Sequence, residues 1–221
     1  MIRLFWETLK SMILYYQMAL RLIWRGKLTA DLALALAAEG QTRGAEARCL
    51  YELARETFRE GVIVEIGSYR GRTAIALAKG SIRGSRIPVY AVDPHGFFPA
   101  SGASPGEAEN YGPRDRAAFL RNVLFSGAAP MIHSISLPSK HAAAGWELPI
   151  SLLWIDACHD YDSVREDFLS WSPFILSGGW VAFHDSSDPA GGPCRVIHEA
   201  LAEGRFRLFR KAEKVSVLCK T

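Results

Sequence analysis

An α/β fold wound around a mainly parallel sheet is predicted by three features of this 221-residue chain. From residue 61 onward, short apolar β-branched runs alternate with helix-patterned stretches, as expected when helices cover both faces of a parallel sheet. The first run, Val62-Ile63-Val64, ends in Glu65 and the glycine turn Gly67-Ser68-Tyr69-Arg70-Gly71. It passes at once into the helical pattern Thr73-Ala74-Ile75-Ala76-Leu77-Ala78. The last two runs are separated only by Lys211-Ala212-Glu213, a hairpin-length gap, so the final strand should run antiparallel.

Taken in order, residues 2–25 are helix-prone, aromatic and punctuated by charge. The longest uncharged stretch there, Ser11 to Leu20, is ten residues, against the roughly 20 needed to cross a bilayer. No small-residue cleavage site follows it. Thr29–Ala38 reads as a second helix with Thr29 as N-cap, Gly40 to Gly44 as a break, and Glu46–Glu60 as a helix feeding the first strand. Residues 1–44 thus form a helical appendage and residues 45–221 the main domain. Strands are expected near 62–66, 87–92, 130–134, 150–155, 179–184, 205–210 and 214–219. Helices are expected near 72–80, 114–125, 138–144, 161–171 and 193–203. The Gly/Pro/Ala/Ser-rich stretch 94–113 reads as a lid that brings Phe97, Phe98 or Tyr111 over a bound substrate, or else as a mobile insertion.

The strand–turn–helix at 62–78 makes a nucleoside site. A helix that starts on a tight turn offers free N–H groups to whatever lies on the turn. About 26 residues beyond Gly67 the second apolar run ends in Asp93, the position that holds a ribose diol in doubly wound folds. The spacing Gly67-x-x-x-Gly71 lacks the third glycine of a dinucleotide loop, and Glu65 repels a pyrophosphate. A phosphate-cradling nucleotide loop is one residue short and has Arg72 in place of its lysine. S-adenosylmethionine remains: its cationic groups near Glu65, close backbone approach at Gly67 and Gly71, ribose on Asp93. Ser68 and Thr73 line the same turn, and Ser136 at the third strand's tip and Asp156 at the fourth's complete the cofactor set. The plain alternative is a strand–turn–helix whose glycines serve packing only.

Ligands of open α/β sheets bind beyond the C-terminal ends of the strands. The fourth strand ends in Asp156-Ala157-Cys158-His159-Asp160 and the fifth in His184-Asp185-Ser186. Asp156, His184 and Asp185 offer one nitrogen and two oxygen ligands, a set suited to Mg²⁺ or Mn²⁺. Without a metal, His184 and Asp185 instead make an acid–base pair. His159 is the candidate general base, so His159, His184 and Asp185 are the catalytic candidates. Asp160 reads as the cap of the following helix, and Trp146, Trp154 and Trp171 as packing residues, with Trp146 beside the adenine as the alternative.

Composition narrows the class. Hydrophobic residues make up 49% and charged residues 22%, ordinary for an α/β protein of this size. Four scattered cysteines without a C-x-x-C pair predict free thiols in a reducing compartment, hence a cytoplasmic setting. The net charge of +3 is uneven: residues 1–27 carry +4 and the remainder −1. With no basic face on the main domain, nucleic acid is excluded as a partner. The basic, aromatic N-terminal helix is suited to packing within the chain, to a homo-oligomer contact, or to the inner face of a membrane.

Four stretches carry a family resemblance: VEIGSYRGRTAIALA, VYAVDPHG, LLWIDACHDYDSVREDF and WSPFILSGGWVAFHD. In this order and spacing they resemble the class I S-adenosylmethionine-dependent methyltransferases, within them the group related to macrocin O-methyltransferase and cephalosporin hydroxylase. The resemblance spans residues 45–220. It implies a Rossmann-like, doubly wound, seven-stranded sheet and methyl transfer to a small-molecule or sugar hydroxyl. It also implies a divalent cation held by one acidic residue after the fourth strand and an acidic pair after the fifth. Asp156 and Asp185 match that pattern, and His184 replaces the first member of the pair, a change toward a softer metal. Two other outcomes stay open: N- or C-methylation without a metal, and a cofactor-binding interaction protein without catalysis.

Overall fold

The computed structural model describes residues 2–24, 29–96 and 113–221. Three helices precede the sheet: α1 (Ile2–Trp24), α2 (Ala30–Ala37) and α3 (Gly44–Glu56). Then follow β1 (Val62–Ile66), α4 (Arg72–Arg83), β2 (Val89–Val92), α5 (Pro113–Ser126), β3 (Ile132–Ile135), α6 (Ser139–Ala144) and β4 (Ile150–Ile155). The chain ends with α7 (Tyr161–Trp171), β5 (Ile175–Phe183), α8 (Gly192–Ala202), β6 (Phe206–Ala212) and β7 (Val215–Lys220). Phe97, Phe98 and Tyr111 lie outside the described residues.

The strands form one sheet in the order β3-β2-β1-β4-β5-β7-β6. All pairs from β3 to β5 are parallel, and β7 is antiparallel to both β5 and β6. This is the expected Rossmann-like sheet with its antiparallel last strand. The two central strands β1 and β4 are buried throughout, which accounts for their continuous apolar runs. Side-chain alternation sends Ile63, Leu152 and Trp154 to a core under α3 and α4, and Val64, Ile66, Leu153 and Ile155 to a core under α7 and α8. Chain order reverses direction at β1, and the crevice beyond β1 and β4 is where such sheets bind ligands.

Two elements differ from the sequence reading. β5 begins at Ile175 rather than near 179, because Leu176-Ser177-Gly178-Gly179, which looks like a turn, is a bulge inside the strand. Gly178 takes a positive φ of 81° there. Helix α3 stops at Glu56 instead of reaching Glu60; Thr57 turns away in extended conformation and its hydroxyl donates to the Ser151 carbonyl on β4. The hairpin between β6 and β7 has Glu213 at φ 50° in its two-residue turn.

Thr29 caps α2 as expected, its hydroxyl accepting from the Leu32 amide. Helix α1 lies on α2 and α5, with Tyr15 donating to the Leu34 carbonyl and Tyr16 to the Phe125 carbonyl at 2.7 Å. Among the described residues no helix is long and apolar enough to cross a membrane. All four cysteines are free.

Candidate functional site

The strand tips are held side by side by backbone bonds that continue the ladder past the strands. Gly67 N–H donates to Val92, Asp93 N–H to Ile135, Asp156 N–H to Ile66 and His184 N–H to Ile155, all between 2.9 and 3.1 Å. This backbone, rather than side-chain packing, places Gly67, Asp93, Asp156 and His184 along one edge.

At the β1–β2 end, Gly67 and Gly71 have φ of 87° and 91°, values that only glycine takes at little cost. A Cβ on Gly67 would sit 2.3 Å from the Asp156 carbonyl oxygen. The turn between them closes through Gly71 N–H to the Ser68 carbonyl, and α4 starts at Arg72. Asp93 faces this turn: its carboxylate accepts from the amides of Tyr69 and His95, both at 2.7 Å. His95 is buried against Phe119, with its ring nitrogen 3.1 Å from the Tyr69 carbonyl, so it packs the turn.

Glu65 is fully buried, and neither carboxylate oxygen makes a hydrogen bond of good geometry, the Thr73 hydroxyl of α4 being the one group that acts on it favourably. Burial raises its pKa well above the ordinary carboxylate value, the charges of Asp156 and Asp93 push the same way, and Thr73 on α4 opposes them. The Ser68 hydroxyl is likewise buried and without a partner. Unsatisfied buried polar groups are rare and costly, and both Glu65 oxygens and the Ser68 hydroxyl lie at one glycine turn. An ammonium or sulfonium ligand supplies the missing charge, so the residues fit S-adenosylmethionine. The Ser136 hydroxyl accepts from Arg116 of α5.

At the β4–β5 end the polar side chains face one another. His184 Nδ1 lies 2.8 Å from Asp156 Oδ1 and 3.8 Å from Asp185 Oδ2. His159 Nε2 is 3.5 Å from Asp156 Oδ1, and its Nδ1 is 3.2 Å from Asp185 Oδ2. Asp156, His159 and His184 each present a ligand atom within 4.8 Å of the other two. Asp185, at φ 45°, turns its other oxygen toward Lys214 Nζ at 2.6 Å. Burial disfavours the charged form of His184, yet the carboxylates of Asp156, Asp185 and Glu46 outweigh it and raise its pKa. Burial also works against ionised Asp185, and Lys214 with the two histidines overrides it and lowers that pKa.

Two members of this cluster have no signal in the strand-tip pattern. Glu46, in the first turn of α3 and 1% exposed, brings Oε2 to 3.6 Å from His184 Nε2. Its other oxygen has no partner. Lys214 comes from the β6–β7 turn. Glu46 also accepts from the Arg43 amide at 2.7 Å, a local helix-start bond that explains its presence without reference to the site.

The remaining sequence candidates are placed as follows. Asp160 caps α7 by accepting from the Ser163 amide. Trp154 and Trp171 are fully buried, and Trp146 packs edge-on against Tyr90 and Trp171 while donating to the Leu148 carbonyl. That seats Trp146 in the α7–α8 core.

Comparison with known proteins gives a consistent picture. The methyltransferase-domain family Methyltransf_24 matches residues 64–186, which contain both ends of the site. The fold is similar to the O-methyltransferase from Bacillus cereus in complex with SAH, at 16% identity and TM-score 0.60 over 88% of this chain and 93% of that one. It is similar to the SAH-bound Podospora anserina methyltransferase PaMTH1, at 14% identity and TM-score 0.61 over 96% and 88%. Cofactor-bound Rv0187 from MTB aligns at 16% identity and TM-score 0.59 over 86% and 88%. With the family match spanning more than half of the chain, the chain belongs to the methyltransferase-domain family Methyltransf_24, and its sheet is that of the Rossmann-like class I methyltransferase fold.

Proposed function

We propose that this methyltransferase acts on a hydroxyl of a small molecule or sugar, with a divalent cation at the β4–β5 tips. The observation that carries the reading is the convergence of Asp156, His159 and His184, with Asp185 at 3.2 Å from His159. A neutral hydroxyl is a poor nucleophile until its proton is removed, whereas an uncharged amine attacks as it stands. Two imidazoles among carboxylates are what the first acceptor requires.

The imidazole nitrogen of His184 and the carboxylate oxygens fit a divalent transition metal better than Mg²⁺, which prefers oxygen alone. Asp156 and His184 would hold it, with Asp185 at the margin, which leaves His159 free as the base. A cation there would lower the pKa of a coordinated hydroxyl. Bound S-adenosylmethionine supplies a methyl group on a sulfonium, which leaves as a neutral thioether.

The chain's own residues then do the following. Glu65 and the Gly67–Gly71 turn anchor the cationic end, and Asp93 stands at the ribose position. His159, 41% exposed at its side chain, is the most accessible base. It takes the acceptor proton on one ring nitrogen while the other faces Asp185, which stabilises the imidazolium. The oxygen lone pair forms the new bond to carbon as the carbon–sulfur pair returns to sulfur. In-line placement of acceptor and methyl does most of the remaining catalysis. The His159–Asp185 pair also supports a metal-free version of this step.

S-adenosylhomocysteine release should be followed with catechol, sugar and amine acceptors, with and without a chelator. Hydroxyl turnover abolished by chelation and restored by Mn²⁺ supports the full reading. Hydroxyl turnover that ignores the chelator leaves the metal-free pair. Turnover with amines alone overturns the reading, and cofactor binding without any turnover points to a binding protein.

A further inference from the structure

We infer that the acceptor carries a carboxylate or phosphate group, which Arg43, with Lys214 beside it, receives at the mouth of the β4–β5 cluster. The inference deepens the proposed function and rests on its placement of the acceptor at His159.

Two distant segments of the chain deliver cations to one place. Arg43 directly precedes α3, and its amide donates to Glu46 Oε2 at 2.7 Å. The same oxygen lies 3.6 Å from His184 Nε2, so the Arg43 backbone stands one side chain away from His184. Lys214 sits in the β6–β7 turn. Its carbonyl accepts from both the amide and the hydroxyl of Ser186, each at 3.0 Å, which pins that turn against the end of β5. Its Nζ is 2.6 Å from Asp185 Oδ1, and the other Asp185 oxygen is 3.2 Å from His159 Nδ1. Arg43 is near enough that its charge disfavours the charged form of Lys214.

The fold gives no reason for a cation at position 43. A positive charge at the start of a helix opposes the helix dipole, and Arg43 makes no side-chain cap bond to α3. Its side chain is exposed, and among the described residues its guanidinium has no ion-pair partner. The segment that presents it is nevertheless firmly held. Arg72 of α4 donates from Nε to the Ala38 carbonyl at 2.9 Å and from Nη1 to the Thr42 carbonyl at 2.8 Å. Thr42 is buried, and Gly40 lies so close to Arg72 that a Cβ there would come within 2.8 Å of it. An arginine spent on two backbone carbonyls thus fixes the approach to Arg43. The carboxylates of the cluster are engaged elsewhere: Glu46 and Asp156 with His184, Asp185 with Lys214 and His159. A free guanidinium beside an acceptor site matches a carboxylate or phosphate through two parallel hydrogen bonds.

Calorimetry on the full chain saturated with S-adenosylhomocysteine tests the inference with matched ligands. The pairs are 3,4-dihydroxybenzoate against catechol, and glucuronate and glucose 6-phosphate against glucose, with inorganic phosphate as the simplest probe. An anionic member should bind about tenfold more tightly than its neutral counterpart, and which one does so separates carboxylate from phosphate. Arg43→Gln should erase that preference and Arg43→Lys should keep part of it. Lys214→Met should reduce it only about two- to threefold, because Lys214 is shared with Asp185. S-adenosylhomocysteine affinity should stay unchanged in all three variants, and in turnover KM should rise while kcat holds. Absence of any anion-dependent binding, inorganic phosphate included, overturns the inference, as does a preference that survives Arg43→Gln. An Arg43-dependent preference with methylation of amines alone would overturn the hydroxyl reading and leave this inference standing. Hydroxyl turnover without that preference would do the reverse.

Discussion

The tips of β1 and β2 and the tips of β4 and β5 lie along the same sheet edge but solve opposite problems. At β1–β2, Glu65 and the Ser68 hydroxyl are buried without well-formed hydrogen bonds, and the glycine turn leaves open the space their ligand needs. At β4–β5, two histidines, three carboxylates and a lysine lie within ion-pair distance of one another, with one Glu46 oxygen and the His184 ring nitrogens short of a well-formed hydrogen bond. The first end is an incomplete ion pair awaiting a cation from outside. The second is a crowded network of opposite charges that exchanges an internal partner when something binds. A preformed socket commits to one ligand, whereas an exchangeable network can hold a proton, a metal or an acceptor oxygen.

The largest effect is expected from Gly67→Ala, because Gly67 touches both ends. Its new Cβ meets the Asp156 carbonyl at 2.3 Å and φ is 87°. S-adenosylmethionine affinity should fall by at least about a hundredfold and the melting temperature should drop, read by calorimetry and thermal unfolding. Retained affinity would mean that the turn is not the cofactor cradle.

Next comes Glu65→Gln, which separates the two ends. Loss of a charge-assisted contact should weaken cofactor binding by about 10- to 100-fold. The unliganded protein should become no less stable. Because burial raises the Glu65 pKa above 4.5, its contribution to stability is fully present below that unfolded value and lost as pH rises through the folded one. The glutamine variant should lack that portion of the pH slope in chemical denaturation. A less stable variant at neutral pH would show that Glu65 has a protein partner.

Glu46→Gln probes the other end. Cofactor affinity should stay within a few-fold, while Mn²⁺ binding, followed by electron paramagnetic resonance, should weaken about tenfold, since Glu46 orients His184. Weakening of the cofactor instead would merge the two ends into one network. The smallest effect is expected from Lys214→Met, which releases Asp185 from its 2.6 Å partner. Mn²⁺ binding should tighten only slightly, because the pair is exposed and screened. A loss of binding would assign Lys214 a role in the site itself.

Legibility in the sequence differed between the two ends for a physical reason. The Glu65–Gly67–Gly71 turn is a local object: strand, turn and helix are contiguous, and each residue's task follows from its neighbours. Asp156, His159, His184 and Asp185 were legible because a parallel sheet places every strand's C-terminal end on one edge, whatever the loops between them do. Glu46 escaped because its bond to the Arg43 amide gives it a sufficient local reason to be there. The bulge at Gly178 escaped because a two-glycine stretch signals a turn unless the neighbouring strand's register is known.

By itself, then, the sequence determined the sheet, the glycine turn after its first strand and the identity of the groups at the strand tips, since these follow from periodicity and chain direction. Only the tertiary structure decided which groups meet: that Glu46 reaches His184 across 138 positions of chain, that Lys214 holds Asp185, and that α1 spends one face on α2 and keeps another exposed. Side-chain encounters between distant elements depend on how helices seat on the sheet, and no local pattern encodes that angle.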